Sequence, residues 1–151
     1  MALDGETLDF FTGPVLLMVA AADEAKRPAI GRGMGAIVRA PDTLDIFVSR
    51  WQWPRVLDNV ATSGRLALTA SRASDYLTYQ VKGAARLRDP APDEIAAARA
   101  YHAAICAELG SMHIPAWISG QWSPDGDMMT VELRIAEAYV QTPGPLAGTS
   151  L

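Results

Sequence analysis

From Pro28 to Arg50 the sequence is built on a period of two. Residues Pro28–Ala40 and Leu44–Arg50 each alternate along their length, with the turn pair Pro41-Asp42 between them. Alternation sends successive side chains to opposite faces of a strand. Two such strands joined by so short a turn pair antiparallel, because a parallel crossover needs a dozen residues or more. Upstream, the apolar run Val15–Ala22 has strand length and ends in the polar turn Asp23-Glu24-Ala25-Lys26-Arg27. Three strands joined by short turns make an antiparallel meander. Regular strand–helix alternation is missing, which excludes a doubly wound Rossmann sheet.

The rest of the chain extends this pattern. Residues 4–12 predict a short helix or turn closed by Gly13-Pro14. Pro54–Thr62 predicts a second helix, with Pro54 in its first turn, Val56, Leu57, Val60 and Ala61 on one face, and Ser63-Gly64 as its stop. Arg65–Ser71 and Tyr76–Arg88 predict two more strands around the loop Arg72-Ala73-Ser74-Asp75. One long, Ala-rich helix is expected near residues 92–109, with Asp93 and Glu94 in its first turn and Gly110 at C′. Its apolar stripe is expected through Ile95, Ala98, His102, Ile105 and Leu109. Residues 111–126 predict a loop, Met128–Val140 a last strand, and residues 142–151 a tail. The expectation is one mainly β domain over residues 1–151, a small barrel or meander with helices at its openings.

Composition narrows the class. Half of the residues are hydrophobic and 20% are charged, so a chain of 151 residues can bury a real core. The lone Cys106 excludes an internal disulfide and fits a reducing compartment. No apolar run approaches the roughly 20 residues of a membrane span. The first fifteen residues carry Asp4, Glu6 and Asp9 with no basic stretch, so a soluble cytoplasmic protein is expected. The net charge of −4 is unevenly placed. Residues 1–25 hold five acids and no base, and residues 89–151 hold eight acids against Arg99 and Arg134. Residues 26–88 hold eleven of the thirteen Lys and Arg against four acids. This middle third either holds an anionic ligand or pairs its exposed Arg side chains with the acidic flanks. An acidic chain with singly scattered bases argues against nucleic acid as a partner.

Two stretches could carry chemistry. Period two places Gly31, Gly33 and Gly35 on one face, with Arg32, Met34 and Ala36 on the other. Such a glycine face admits a flat ligand or a second backbone, or else marks a bulge or barrel corner. In Ser49-Arg50-Trp51-Gln52-Trp53-Pro54-Arg55 a strand runs into a helix start. A hydroxyl, two guanidinium groups and first-turn amides there suit a phosphate monoester, with Trp51 and Trp53 adding flat apolar surface. The only imidazoles are His102 and His113, and no Cys, His or carboxylate spacing suggests a metal. His102 and Cys106, four apart on one helix face, read as core packing. With no nucleophile elbow or phosphate-binding Gly-rich loop, no catalytic side chain stands out, and the reactive atoms of an enzyme would belong to a cofactor.

The order of elements over residues 8–141 resembles the pyridoxamine 5′-phosphate oxidase-like, FMN-binding split-barrel family. Pro28 to Arg32 followed by Gly33-Met34-Gly35 is similar to the strand whose Arg and backbone approach FMN. Phe47 to Arg55, with Val56 and Asn59, is similar to the stretch that grips the phosphate. Tyr79-Gln80-Val81-Lys82-Gly83 is similar to a strand lining the isoalloxazine site. The resemblance implies a six-stranded antiparallel Greek-key split barrel with flanking helices. It also implies a homodimer with FMN sites across its interface and a small-molecule substrate. The cofactor-binding residues it implies are Arg32, Gly33, Met34, Gly35, Ser49, Arg50, Trp51, Arg55, Gln80 and Lys82, with Trp117 or Trp122 as a ring contact. The chain departs from the family after Arg134, where no basic residue follows, so pyridoxamine phosphate itself is not the expected substrate. A flavin-dependent oxidoreductase is the first reading. A flavin- or haem-binding protein without turnover, or a deazaflavin-dependent reductase, remains open on the same barrel.

Overall fold

The computed structural model describes residues 1–122 and 127–151. The elements run α1 (Gly5–Thr12), β1 (Leu16–Ala22), β2 (Pro28–Ala40), β3 (Thr43–Ser49), α2 (Pro54–Ser63), β4 (Arg65–Ser71), β5 (Thr78–Arg88), α3 (Pro92–Ser111), α4 (Ala116–Ser119), a 3-10 turn (Gly120–Trp122) and β6 (Met128–Val140). The six strands close into a barrel in the order β1-β2-β3-β6-β5-β4, every pairing antiparallel. Closure removes the exposed edges that an open sheet would present. The expected six-stranded antiparallel barrel with flanking helices is what forms.

The barrel is solid. Leu17, Val19, Leu44, Ile46, Val48, Leu66, Leu68, Val81, Val131, Leu133 and Ile135 fill it, all nearly inaccessible. Burying each such side chain is worth about 1.5–3 kcal/mol. Helix α1 adds Leu8 and Phe11, and α2 adds Val56, Leu57 and Val60 to the same core. The caps follow from sequence. The Asp4 carboxylate accepts from the Thr7 amide at 2.8 Å, Pro54 opens α2, and Gly64 closes it at φ 63°.

Three expectations about β2 and α3 need correction. First, β2 is not a regular strand. Its register shifts between Gly33 and Ala36, and Gly35 takes φ 117°. This bulge sets Met34 and Gly35 toward the same outer side, where Met34 packs with Phe47 and Ala98 and the open side of Gly35 meets Tyr101. Ala36 returns to the barrel core. Gly31, Gly33 and Gly35 therefore do not share a face.

Second, the inner stripe of α3 is Glu94, Ala98, Ile105 and Leu109, while Ile95 faces outward. Glu94 is fully buried and takes part in an ion network. It accepts from Arg39 at 2.5 Å, from Arg88, from the Ala91 amide at 2.8 Å and from the Thr130 hydroxyl at 2.9 Å. Asp45 on β3 takes both guanidiniums as well. Third, α3 does not stop at Gly110. It continues to Ser111, and His113 takes the left-handed conformation at φ 65°. The His113 amide donates to the Gly110 carbonyl at 3.0 Å and the Ile114 amide to that of Leu109 at 3.0 Å. This is the paired bonding of a Schellman ending, with His113 in the place usually held by glycine.

Residues 111–126, expected as loop, include α4 and the 3-10 turn in their described part. The C-terminal segment folds back on β6, bridging Ser150 to Tyr139. Among the described residues no helix is long and apolar enough to cross a membrane.

Candidate functional site

With the barrel filled, ligand-sized space lies on its outside. Two clefts adjoin where Ile30 and Trp53 border both. The first, about 460 Å³, lies between the outer side of β1 and β2 and the C-terminal end of α3. Its walls are Leu16, Met18, Trp53, Tyr76, Leu109 and Met112 among others, and among the described residues Arg32 is its one charged group. The second, about 530 Å³, is bounded by Pro28, Gln52, Pro54 and Arg55. Both volumes fall in the range of small-molecule sites.

Trp53 sits at the junction because of a missing side chain. A Cβ at Gly31 would lie 2.7 Å from its indole, so only glycine lets the ring lie against β2. The indole N–H is buried without an acceptor among the described residues. The flat group admitted by the glycines is thus the chain's own. Gly33 likewise faces Leu17 in the barrel, and Gly35 faces Tyr101 and Phe47. Tyr101 donates its hydroxyl to the Val15 carbonyl at 2.7 Å, and burial pushes its pKa up to about 12.

Arg32 and Trp122 come together as a stacked pair, the guanidinium carbon 3.6 Å from the ring centroid. No carboxylate among the described residues pairs with Arg32. Burial holds its pKa below the usual guanidinium value. Many of the neighbouring bases differ. Arg27, Arg39, Arg72, Arg86 and Arg88 all pair with carboxylates. Much of the positive middle third is therefore structural.

The stretch from Ser49 to Arg55 does not converge on one point. The buried Ser49 hydroxyl accepts from the Gln52 amide at 3.1 Å, and its carbonyl accepts from the Trp53 amide at 3.0 Å. The Val56 and Leu57 amides bond back to the Trp53 carbonyl. Few of the amides expected to cradle an anion at the start of α2 remain open. Arg50 turns to the Met129 sulfur at 2.9 Å, and Trp51 is 79% exposed. Arg55 is exposed at the edge of the second cleft.

Gln80 and Lys82 lie elsewhere on the same outer surface. Register places Arg32 beside Met18, Met18 beside Thr69, and Thr69 beside Gln80. The next row runs Ile30, Ala20, Ala67, Lys82. At about 4.8 Å per strand, Gln80 stands about 14 Å from Arg32. The Gln80 amide donates to the Thr69 hydroxyl at 2.9 Å, and the Lys82 ammonium stands 4.9 Å from the Tyr139 ring centroid. Between the two ends of these rows lie Met18, Thr69, Ala20 and Ala67, with Met18 44% exposed and Ile30, at the end of the second row, 66% exposed.

Sequence reasoning missed the far wall of the first cleft. Leu109, Met112 and Ile114 reach it because α3 runs past Gly110, and Tyr76 because it takes φ 61° at the hairpin tip. A positive φ at a tyrosine or histidine leaves no signal in one sequence. Neither His102 nor His113 lines the cleft, and His102 lies 3.5 Å from the Cys106 sulfur on α3. Among the described residues no cluster of His, Cys, Asp and Glu is arranged to hold a metal.

No protein-family profile and no curated protein matches the sequence. Solved structures do match in fold. HupZ of Group A Streptococcus is 18% identical, with a TM-score of 0.59 over 97% of this chain and 99% of that one. A candidate pyridoxamine 5′-phosphate oxidase of Lactobacillus delbrueckii is 15% identical, with a TM-score of 0.57 over 92% and 94%. The heme storage protein HutZ of Vibrio cholerae is 15% identical, with a TM-score of 0.53 over 93% and 95%. Strand order, closed barrel and flanking helices agree with these likenesses, and the chain has the pyridoxamine 5′-phosphate oxidase-like split-barrel fold.

Proposed function

We propose that the protein is a flavin-dependent oxidoreductase that binds FMN as a homodimer. The observation that carries this reading is the pair of adjoining clefts, one apolar with Arg32 and one polar-edged with Arg55, meeting at Ile30 and Trp53. A planar ring joined to a phosphate needs this combination of flat apolar surface and separate cations. Arg55 would hold the phosphate. Ile30, Gly31 and Trp53 would border the ring, with Arg32 at its edge. FMN bound there would supply hydride or electron transfer. The chain would bind and orient it and exclude water with the apolar walls.

The separation of Gln80 and Lys82 from Arg32 supports the dimer. A two-fold contact through the exposed Met18 and Ile30 surface would bring the second copy's β5 against the first copy's clefts. The likeness to HutZ supports haem as a second reading; neither His102 nor His113 lines the cleft, so a thioether such as Met18 or Met112 would have to hold the iron.

The test is the absorbance spectrum of the purified protein, followed by FMN titration and sedimentation. Flavin bands, saturable FMN binding and a dimer are expected. A Soret band in place of flavin bands, no saturable FMN binding, or a monomer that still binds FMN tightly overturns the reading in whole or in its dimeric part.

A further inference from the structure

The lining of the first cleft differs in chemistry from a phosphate site. Among the described residues its lining contains a single charged side chain, Arg32, and hydroxyls only at Ser71 and Tyr76. Trp122 covers one face of the guanidinium. Stacking uses the π surface and leaves the in-plane N–H donors at the edge. A guanidinium carries five of them, enough to border a ring edge and still take a carboxylate. A half-buried cation with no carboxylate partner among the described residues is relieved by an anion from solution. One guanidinium without a second cation matches one negative charge, and its fork matches a carboxylate.

The opposite wall gives the shape of the remainder. Leu109, Met112 and Ile114 at the end of α3 face Leu16 and Met18 across the cleft, with Trp53 and Tyr76 as aromatic sides. Thioethers and aromatic faces suit a flat apolar body. Two residues with positive φ, Tyr76 and His113, stand at or beside this wall. Such strained positions cluster at ligand clamps.

We propose that this cleft binds a second ligand, an apolar ring system carrying one carboxylate, with the carboxylate on Arg32 and the ring between Met18, Trp53 and Met112. The assignment of that ligand as the substrate rests on the flavin reading; its binding does not.

The experiment titrates the full chain as purified with 9-anthracenecarboxylate and with its neutral counterpart 9-anthracenemethanol, following energy transfer from tryptophan. FMN binding is read separately from flavin absorbance, so either can fail without the other. The acid should bind about ten- to a hundredfold more tightly than the alcohol, the difference made by one charge-assisted hydrogen-bonded pair. Arg32→Gln should abolish that preference, weakening the acid far more than the alcohol. Met112→Glu, on the exposed end of α3 where folding is not at stake, should weaken the acid at least about tenfold by charge repulsion. Equal binding of acid and alcohol by the unmodified chain overturns the proposal. So does an acid preference that survives Arg32→Gln.

Discussion

Replacing Glu94 with glutamine tests the ion network that docks α3 on the barrel. The carboxylate is fully buried and both of its oxygens are engaged. Oε1 receives Arg39 and Arg88, while Oε2 receives Arg88, the Ala91 amide and the Thr130 hydroxyl. Glutamine keeps the shape, but its NH₂ group must point at one of these two sets of donors. Arg39 and Arg88 would then share Asp45 as their buried counter-charge. Breaking one partner out of a buried ion pair costs about 3–5 kcal/mol. Against a total stability of about 5–15 kcal/mol this is a large share. With a urea slope near 2 kcal/mol/M, the midpoint should fall by about 2 M.

The pH dependence gives an independent reading of the same carboxylate. Its pKa is held well below the usual 4.5 by Arg88, the Ala91 amide, Thr130 and Arg39, which together outweigh the raising effect of burial. A group depressed in the folded state contributes stability that is fully present above its unfolded value and is lost as the pH falls below it. Urea unfolding between pH 7 and pH 3 should therefore show a steeper loss in the unmodified protein than in Glu94→Gln. A midpoint within about 0.3 M of the unmodified protein at pH 7, or parallel pH profiles, refutes the argument.

Three further outcomes follow from positions described above. Gly83→Ala places a Cβ 1.8 Å from the Arg134 carbonyl oxygen at the irregular crossing of β5 and β6; the barrel should lose several kcal/mol or fail to fold, as read by circular dichroism. His113→Gly relieves the left-handed conformation that ends α3 and should raise stability by about 1 kcal/mol in urea unfolding, whereas a loss would mean that the helix stops elsewhere. Arg55→Ala removes an exposed cation and should weaken FMN at least about tenfold while leaving the melting temperature unchanged.

The strands were legible because alternation, turns and a closed core agree. Pro28–Ala40, Arg65–Ser71 and Met128–Val140 match the structure end to end. What failed was wherever a single residue broke a period. The bulge at Gly35 moved one glycine to the other face, and its cause, the seat for Tyr101, lies sixty-six residues away. Ile95 looked like the inner face of α3 because apolar residues usually are. Glu94 takes that place because Arg39 and Arg88 arrive from β2 and β5 to neutralise it. At the site, Arg32, Arg55 and the flat surface of Trp53 were visible as types, and the pairing of Arg32 with Trp122 was not. The glycine run was visible too, but its purpose was internal fit. The distance of Gln80 and Lys82 from the clefts depends on barrel order, which short-range patterns do not carry.

A core occupied by its own side chains has a consequence for how this scaffold can change. Interior residues are committed to mutual fit, so altering what the molecule recognises through them would endanger folding. Met18, Ile30, Met112 and Arg55 stand on the outer skin and take no part in that fit. Ligand preference can therefore drift from one protein to the next on this architecture while the scaffold underneath stays constant.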